Sequence, residues 1–453
     1  MSVLPRVSVI GTGYLGATHA VCMASLGFDV VAIDIDPEKV DLLNRGRVPF
    51  HEPGMPELLE SAQRHGRITF TTDYAAAKDA DVHFLCVGTP SAIDGSADLS
   101  YLRAAVTNLA PHLDRKSLVV GKSTVPPGTA AAMTELLTDL APAGSEVELA
   151  WQPEFLREGH AVEDTLRPNR LVFGVRSEWA LDQLNRVFAP VIEEGTPVVV
   201  ADLVTAELVK IAANTYLATK ISFANGLAEL CDKVGGDVAT LVDALGYDSR
   251  IGRQYLGPGI GYGGGCLPKD LSSLLTWAES IGAGDSVGFL RTVREINDRC
   301  RDRVILQTLD QLDGNLQDAR ICVLGVAFKP DSDDVRESPS LEIARRLHQL
   351  GARVTVHDPA AMGNARRVAP ELTYAGTLIG AADGADVVLV LTEWREFREM
   401  DPRRLGEWVA SRKIVDGRLC LDAKAWTDAG WHVAIPGRPV HAGPITAPAP
   451  VPA

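Results

Sequence analysis

Val7-Ser8-Val9-Ile10-Gly11-Thr12-Gly13-Tyr14-Leu15-Gly16 decides the fold. Four strand-forming residues run straight into glycines at 11, 13 and 16, the spacing of a tight turn that lets backbone N–H groups approach a pyrophosphate. An apolar helical run follows from Ala17 to Leu26 and closes on Gly27. The next strand, Val30-Val31-Ala32-Ile33, ends in Asp34, 18 residues after Gly16. This strand, glycine turn, helix and strand, with an acid at the second strand's tip, is the βαβ dinucleotide fingerprint. A carboxylate at Asp34 accepts from a ribose 2′-hydroxyl and repels a 2′-phosphate, so NAD is expected rather than NADP.

Working outward, Asp81–Val87 and Leu118–Val120 are further strands, ending in Gly88-Thr89-Pro90 and in Gly121-Lys122-Ser123-Thr124-Val125-Pro126-Pro127-Gly128-Thr129. In an open parallel sheet, ligands bind beyond the carboxyl ends of the strands, so Thr89, Ser123 and Thr124 are candidate hydroxyl donors. They serve equally as turn or helix caps, Ser123 or Thr124 for a helix beginning near Thr129. The strand Glu148–Trp151 leads to Gln152-Pro153-Glu154-Phe155-Leu156-Arg157-Glu158-Gly159. Glu154 and Glu158 would share a face of a helix, but Pro153 and Gly159 favour a short turn. The last strands of this part are Leu171–Gly174 and Pro197–Val200.

From Thr205 to about Asp232 a proline-free stretch carries helical apolar periodicity. Lys210 and Asn214 lie four apart on one face, suited to an oxyanion or a sugar hydroxyl, or else part of a polar stripe. Further on, Gly261-Tyr262-Gly263-Gly264-Gly265-Cys266-Leu267-Pro268-Lys269-Asp270 places four glycines in five positions before a cysteine, a lysine and an aspartate. Such a loop offers backbone amides to a ligand, a thiol nucleophile, a cation beside it and a carboxylate to manage water. The plainer reading is a buried cysteine after a tight turn.

The final third repeats the first. Ile321–Val326 echoes the first strand, Val354-Thr355-Val356-His357-Asp358-Pro359 the second, and Ala385–Leu391 the segment Ala80–Leu85. Phe328-Lys329-Pro330 stands where the glycine motif would be, so a second dinucleotide site is not expected there. Lys329, Arg336 and Arg418 sit at predicted element ends, placed to hold phosphates. The Pro/Ala-rich tail from about Pro439 reads as disordered.

Composition narrows the function class. A chain of 453 residues exceeds one core, and 46% hydrophobic with 23% charged residues is an ordinary globular profile. A net charge of −15 argues against nucleic acid or an anionic membrane as partner. Seven scattered cysteines without a CxxC pair fit a reducing compartment and no zinc or other metal site. With no long apolar span or signal peptide, a cytoplasmic location is expected.

The ordered motifs GTGYLG, CVGTP, STVPPGT, PEFLREG, ELVKIAANTYLA, GYGGGCLPKD, GVAFKPDSDDVRES and DGR resemble the UDP-glucose/GDP-mannose dehydrogenase family over nearly the whole chain. Gln152 and Gly265 depart from it, where many members carry Asn and Ser. The resemblance implies two Rossmann-like doubly wound parallel-sheet domains joined by a long central helix and a helical middle domain. The expected parts are 1–202 for NAD, 203–305 for association and the cysteine loop, 306–438 for the UDP-sugar and 439–453 as tail.

It further implies four-electron oxidation of UDP-glucose to UDP-glucuronate. Cys266 would capture the aldehyde as a thiohemiacetal and then carry a thioester. Asp270 and Thr124 would position water, Lys210 with Asn214 would stabilise the oxyanion, and Glu154 would serve thioester hydrolysis. Gly11, Gly13, Tyr14, Leu15, Gly16, Asp34, Lys39, Thr89, Thr124, Glu158, Lys269 and Arg336 match the family's cofactor contacts. Glu154, Phe155, Leu156, Lys210, Asn214, Arg250, Tyr255, Leu256, Gly259, Gly263, Phe328, Lys329 and Arg418 match its sugar-nucleotide contacts. Arg250 is expected to reach into a partner subunit, making a homodimer or larger assembly. GDP-mannose or UDP-N-acetylmannosamine are the alternative substrates. A non-catalytic nucleotide-sugar and NAD-binding regulator would have no need of a positioned thiol, and a two-electron 3-hydroxyacid dehydrogenase would need neither Cys266 nor the final domain.

Overall fold

The computed structural model describes residues 4–438, so the tail from Pro439 lies outside the described residues. The opening stretch forms β1 (Val7–Ile10), near the middle of an eight-stranded sheet of order β3-β2-β1-β4-β5-β6-β7-β8. Its partners are β2 (Val30–Ile33), β3 (Ile68–Thr71), β4 (Val82–Leu85), β5 (Ser117–Gly121), β6 (Val147–Trp151), β7 (Leu171–Gly174) and β8 (Val198–Ala201). The first six strands take the 3-2-1-4-5-6 order of a dinucleotide-binding sheet, with the strand order reversing between β1 and β4. Short apolar runs such as VSVI and VHFL are fully buried because both faces of the sheet are covered. Val7, Val9, Phe84 and Val120 pack on α1 (Tyr14–Ser25) through Ala17, Ala20 and Val21. Ile10, Ile33, Leu85 and Val119 form the core of the opposite face.

The sheet is not parallel throughout. β6 meets β7 antiparallel at the single pair Trp151–Gly174, while β7 and β8 run parallel to each other. These two strands form a βαβ unit of their own, through the helix Glu178–Glu193, joined edge-on to the six-stranded part. Gly174 is needed at that seam: a Cβ there would come within 2.6 Å of the Ala206 Cβ.

A second sheet holds β9 (Arg320–Leu324), β10 (Arg353–His357), β11 (Thr373–Tyr374), β12 (Val387–Val390), β13 (Lys413–Asp416) and β14 (His432–Ala434). Its order, β11-β10-β9-β12-β13-β14, repeats 3-2-1-4-5-6 with every pair parallel. The helices used below are α2 (Thr129–Leu140), α3 (Ala161–Leu166), α4 (Leu203–Val234), α5 (Leu267–Ser280) and α6 (Phe289–Gln311). Asp202 starts α4 by accepting from the Thr205 amide at 2.8 Å and its hydroxyl at 2.9 Å.

Two compact units divide the chain: residues 1–215 with 269–288, and 216–268 with 289–453. Each is built from two segments of the chain, and the boundaries fall inside α4, inside α5 and directly before α6. No helix among the described residues is long and apolar enough to cross a membrane.

Candidate functional site

In the first unit the glycine turn is held by contacts that exclude side chains. Gly11 has φ +90°, and a Cβ at Gly16 would stand 1.8 Å from the Gly11 carbonyl oxygen. Gly13, the residue before α1, has nothing within 4 Å of an added Cβ, and no side chain caps the helix. Uncapped N–H groups over open space are what an anionic pyrophosphate requires.

Asp34 is 7% exposed and completes this end. Its Oδ2 accepts from the Thr12 amide at 2.7 Å, the Thr12 hydroxyl at 2.9 Å and Lys39 Nζ at 3.1 Å. Burial opposes its ionisation, but these bonds and one from the Asp36 amide outweigh burial and hold the carboxyl below its ordinary range. The residues thus fit NAD: an open anion site and an ionised acid at the strand tip.

Two acids to which the sequence assigned no role organise the surrounding loops. Glu52, 3% exposed, accepts from the amides of Gly159 and Ala161, at 2.7 and 2.8 Å, and from the Tyr14 hydroxyl. It thereby ties the glycine turn to the start of α3. Burial first, then the Glu52 hydrogen bond, pushes the Tyr14 phenol up, and the charge of Glu158 adds to this, which places Glu158 beside the turn. Glu207, 1% exposed on α4, accepts from the amides of Gly128 and Ala130. It is this carboxylate, rather than Ser123 or Thr124, that satisfies the start of α2. Ser123 clamps a loop instead, donating to the Val87 carbonyl, and Thr89 donates to the Thr124 carbonyl at 2.7 Å.

Residues 152–157 contain no helix, so the turn reading of this stretch is the observed one. Glu154 Oε2 accepts from the Leu156 amide at 2.7 Å, and Oε1 pairs with Lys210 Nζ at 2.9 Å. Phe155 packs its ring under Arg170 at 3.7 Å and faces Lys210 at 5.7 Å. On α4, Lys210 and Asn214 are both buried. Asn214 Nδ2 donates to Asp270 Oδ2 at 2.6 Å, and Lys269 Nζ donates to Oδ1 at 2.6 Å. Four charged groups and an amide from three distant stretches therefore meet inside one unit, mutually paired, with Lys210, Asn214 and Asp270 buried and Glu154 and Lys269 half-buried.

The second unit holds the glycine-rich loop, and here the structure gives its glycines a different reason. A Cβ at Gly263 would lie 2.0 Å from the Glu337 carbonyl oxygen, one at Gly264 2.8 Å from the Phe328 ring, and one at Gly265 2.6 Å from the Arg336 guanidinium. The loop is bare because it is pressed against residues 328–339, not to open one face to a ligand. Cys266 emerges exposed, directly before α5. Arg418, 13% exposed, donates to the carbonyls of Leu391, Phe328 and Gly261 and so ties three loops together. Lys329 stands 5.4 Å from the Phe328 ring, and Arg336 is paired with Asp334. Gly259 donates to Asn225 Oδ1 at 2.8 Å beside the buried Leu256, and Tyr255 holds a left-handed φ of 61°. Arg250 is 87% exposed and paired with Asp248.

Asp358 occupies in the repeat the place that Asp34 has in the first sheet. It is 1% exposed, and its oxygens accept from the amides of Val326, Ala327, Ala360 and Ala361 and from Trp394 Nε1. With its acceptor positions filled by protein donors, it has none to give a ribose.

An uncapped glycine turn with an acid-tipped second strand, in one unit with two largely buried lysine–carboxylate pairs, defines an NAD-dependent oxidoreductase. The chain belongs to the UDP-glucose/GDP-mannose dehydrogenase family: residues 5–192 match its NAD binding domain, 204–299 its central domain and 322–423 its UDP binding domain. It is 38% identical over 442 residues to the UDP-glucose 6-dehydrogenase TuaD of Bacillus subtilis, covering 97% of this chain and 95% of that one. With the UDP-glucose 6-dehydrogenase of Rhizobium meliloti it shares 39% identity over 438 residues, 96% and 100% of the two chains. Among solved structures, a UDP-glucose dehydrogenase from Pyrobaculum islandicum aligns with TM-score 0.88 and 38% identity over 97% and 98% of the chains. A UDP-D-ManNAc dehydrogenase from Pyrococcus horikoshii aligns with TM-score 0.83 and 29% identity over 96% and 99%.

Proposed function

We propose that this protein oxidises UDP-glucose to UDP-glucuronate in two two-electron steps at one site. The observation that carries the reading is the preassembled set Glu154–Lys210 and Asn214–Asp270–Lys269, with the exposed Cys266 four residues before Asp270. Several relatives of similar length that carry the UDP-glucose 6-dehydrogenase name support the choice of sugar.

When bound, NAD supplies the hydride acceptor for each oxidation. Water held by Asp270 and Thr124 takes the proton of the C6 hydroxyl as the alcohol becomes an aldehyde. The Cys266 sulfur adds to that aldehyde, giving a thiohemiacetal whose oxygen bears charge, and the Lys210 ammonium with the Asn214 amide stabilises that charge. Loss of the second hydride leaves a thioester on Cys266. Water directed by Glu154 cleaves it, returning the thiol and releasing the carboxylate. Capture by sulfur keeps the aldehyde from escaping between steps.

We assign NAD to residues 1–202, with the cofactor contacts named from the family, the association helices to 203–305 and the UDP moiety to 306–438. The protein is placed in the cytoplasm, in keeping with seven cysteines of which none forms a disulfide. It works as a homodimer or larger assembly. Tyr216, Phe223 and Leu230, seven apart on α4, are 64%, 56% and 60% exposed, an apolar stripe suited to a second copy.

The deciding experiment measures NADH formed per nucleotide sugar consumed, with UDP-glucose, GDP-mannose and UDP-N-acetylmannosamine offered separately. Two NADH from UDP-glucose alone is the expected result. Two from another sugar overturns the substrate, one with free aldehyde overturns the role of Cys266, and none from any sugar overturns the enzyme reading.

A further inference from the structure

Behind the Glu154–Lys210 pair lies a second lysine that the mechanism above does not use. Lys122 directly follows β5 and is 4% exposed. Its Nζ donates to Gln152 Oε1, and among the described residues no carboxylate stands within ion-pair distance of it. The Phe84 and Phe188 rings face it at 5.8 and 5.9 Å. The imidazole of His19, 1% exposed with Nε2 unpartnered, lines the same cavity of about 30 Å3. An ammonium buried against a neutral amide and two rings works against folding, because desolvation of the charge is not repaid by an opposite one. Burial lowers its pKa to about 8, against the pull of Cys86 and Glu154 and with the push of Lys210, so it remains a cation at neutral pH.

The geometry links this cation to the reacting end. Gln152, 4% exposed, is held by its own amide to the Gly121 carbonyl at 2.8 Å. Its Nε2 donates to the Pro153 carbonyl at 3.0 Å, and the next residue is Glu154, whose carboxylate meets Lys210. Residues 152–157 belong to no helix, so this side-chain bond helps hold the backbone that carries Glu154, whose carboxylate is itself held by the Leu156 amide and Lys210.

We propose that Lys122 is a positioning residue for Glu154: acting through the Gln152 amide, it locks the turn that carries the carboxylate and sets a second positive charge behind it. This rests on the dehydrogenase reading of the site. It also explains why the chain keeps an unpaired buried charge, since strain of this kind persists where function needs it.

The test uses the full-length enzyme with UDP-glucose and NAD. Lys122→Met is expected to lower kcat tenfold or more while KM for NAD and Tm stay at or above wild-type values for stability and unchanged for binding. A scaffolding lysine would give the reverse, a lower Tm with kcat intact, and that result overturns the assignment. Gln152→Leu cuts the same link without touching the charge and should lower kcat similarly. The double variant should be no worse than the weaker single, since both remove one connection; additive losses overturn it. Should Lys122→Met fail to fold, Gln152→Leu decides alone, with unchanged kcat overturning the proposal. A wild-type protein inert toward every nucleotide sugar overturns the proposed function itself. Active wild type with unaffected variants overturns only the role of Lys122.

Discussion

Lys122 gives the residue scale a measurable pH signature. Its folded pKa of about 8 lies below the ordinary 10.5 of a lysine that the unfolded chain exposes. Between those values the unfolded chain holds a proton that the folded chain has released, so stability rises with pH across that window. The burial penalty is therefore fully present below pH 8 and gone above 10.5, a total on the order of 3 kcal/mol from the usual conversion. Lys122→Met has no such penalty. It is expected to be the more stable protein at pH 7, with the gap to wild type closing as pH rises, read by urea unfolding at pH 7, 8.5 and 10. A gap that does not change with pH would contradict this. Comparing variant with wild type cancels the buried thiol of Cys300, pushed up to about 12 by burial, whereas the Cys86 thiol feels the Lys122 charge and is pushed further up when that charge is removed.

At the scale of elements, Glu207 is the lever. It sits on α4, yet its carboxylate satisfies two amides at the start of α2, where Gly128 offers no side-chain cap. Glu207→Ala should destabilise the protein by about 2 kcal/mol, the usual loss for a buried carboxylate cap, and Glu207→Gln by less, since its amide oxygen still accepts one bond. Thermal unfolding of both variants checks the order, and equal Tm for all three proteins would contradict it.

The same elements mark what could be read without coordinates. The first strand, glycine turn, helix and Asp34 were legible because each choice is local: φ at Gly11, the uncapped α1, the acid one residue past β2. Lys210 and Asn214 were legible as one face of a helix, and the second sheet as a repeat of the first. Glu52, Glu207 and Lys122 were not, because a charge shows its burial only when partners some 30 to 110 residues away close over it. The glycines of 263–265 were read as opening a ligand face for the same reason. What excludes their side chains is residues 328–339, more than 60 positions later in the chain. The reversal of β7 and β8 was also hidden, since an apolar tetrapeptide such as LVFG carries no mark of its direction.

At the scale of the molecule, the proposed association can be tested at one exposed helix face. The stripe of Tyr216, Phe223 and Leu230 leaves large side chains in water on one face of α4, which a lone chain has no reason to keep. Phe223→Glu places a charge in the middle of that stripe. It is expected to yield monomers by sedimentation with at least tenfold lower turnover, because Arg250 is assigned to a neighbour's site. Fully active monomers would overturn both the interface and the role of Arg250.

The division of the chain also has a consequence for how the protein is made. The first unit is discontinuous, closing only with residues 269–288. A ribosome releases residues in order, so the NAD-binding half leaves the tunnel early but lacks Asp270, the acceptor for Asn214, until some fifty more residues have emerged. For that interval the buried amide of α4 has no carboxylate to hold it. The nascent protein can thus form its nucleotide fold before it can close the Asn214–Asp270 pair, which waits on the arrival of a single helix.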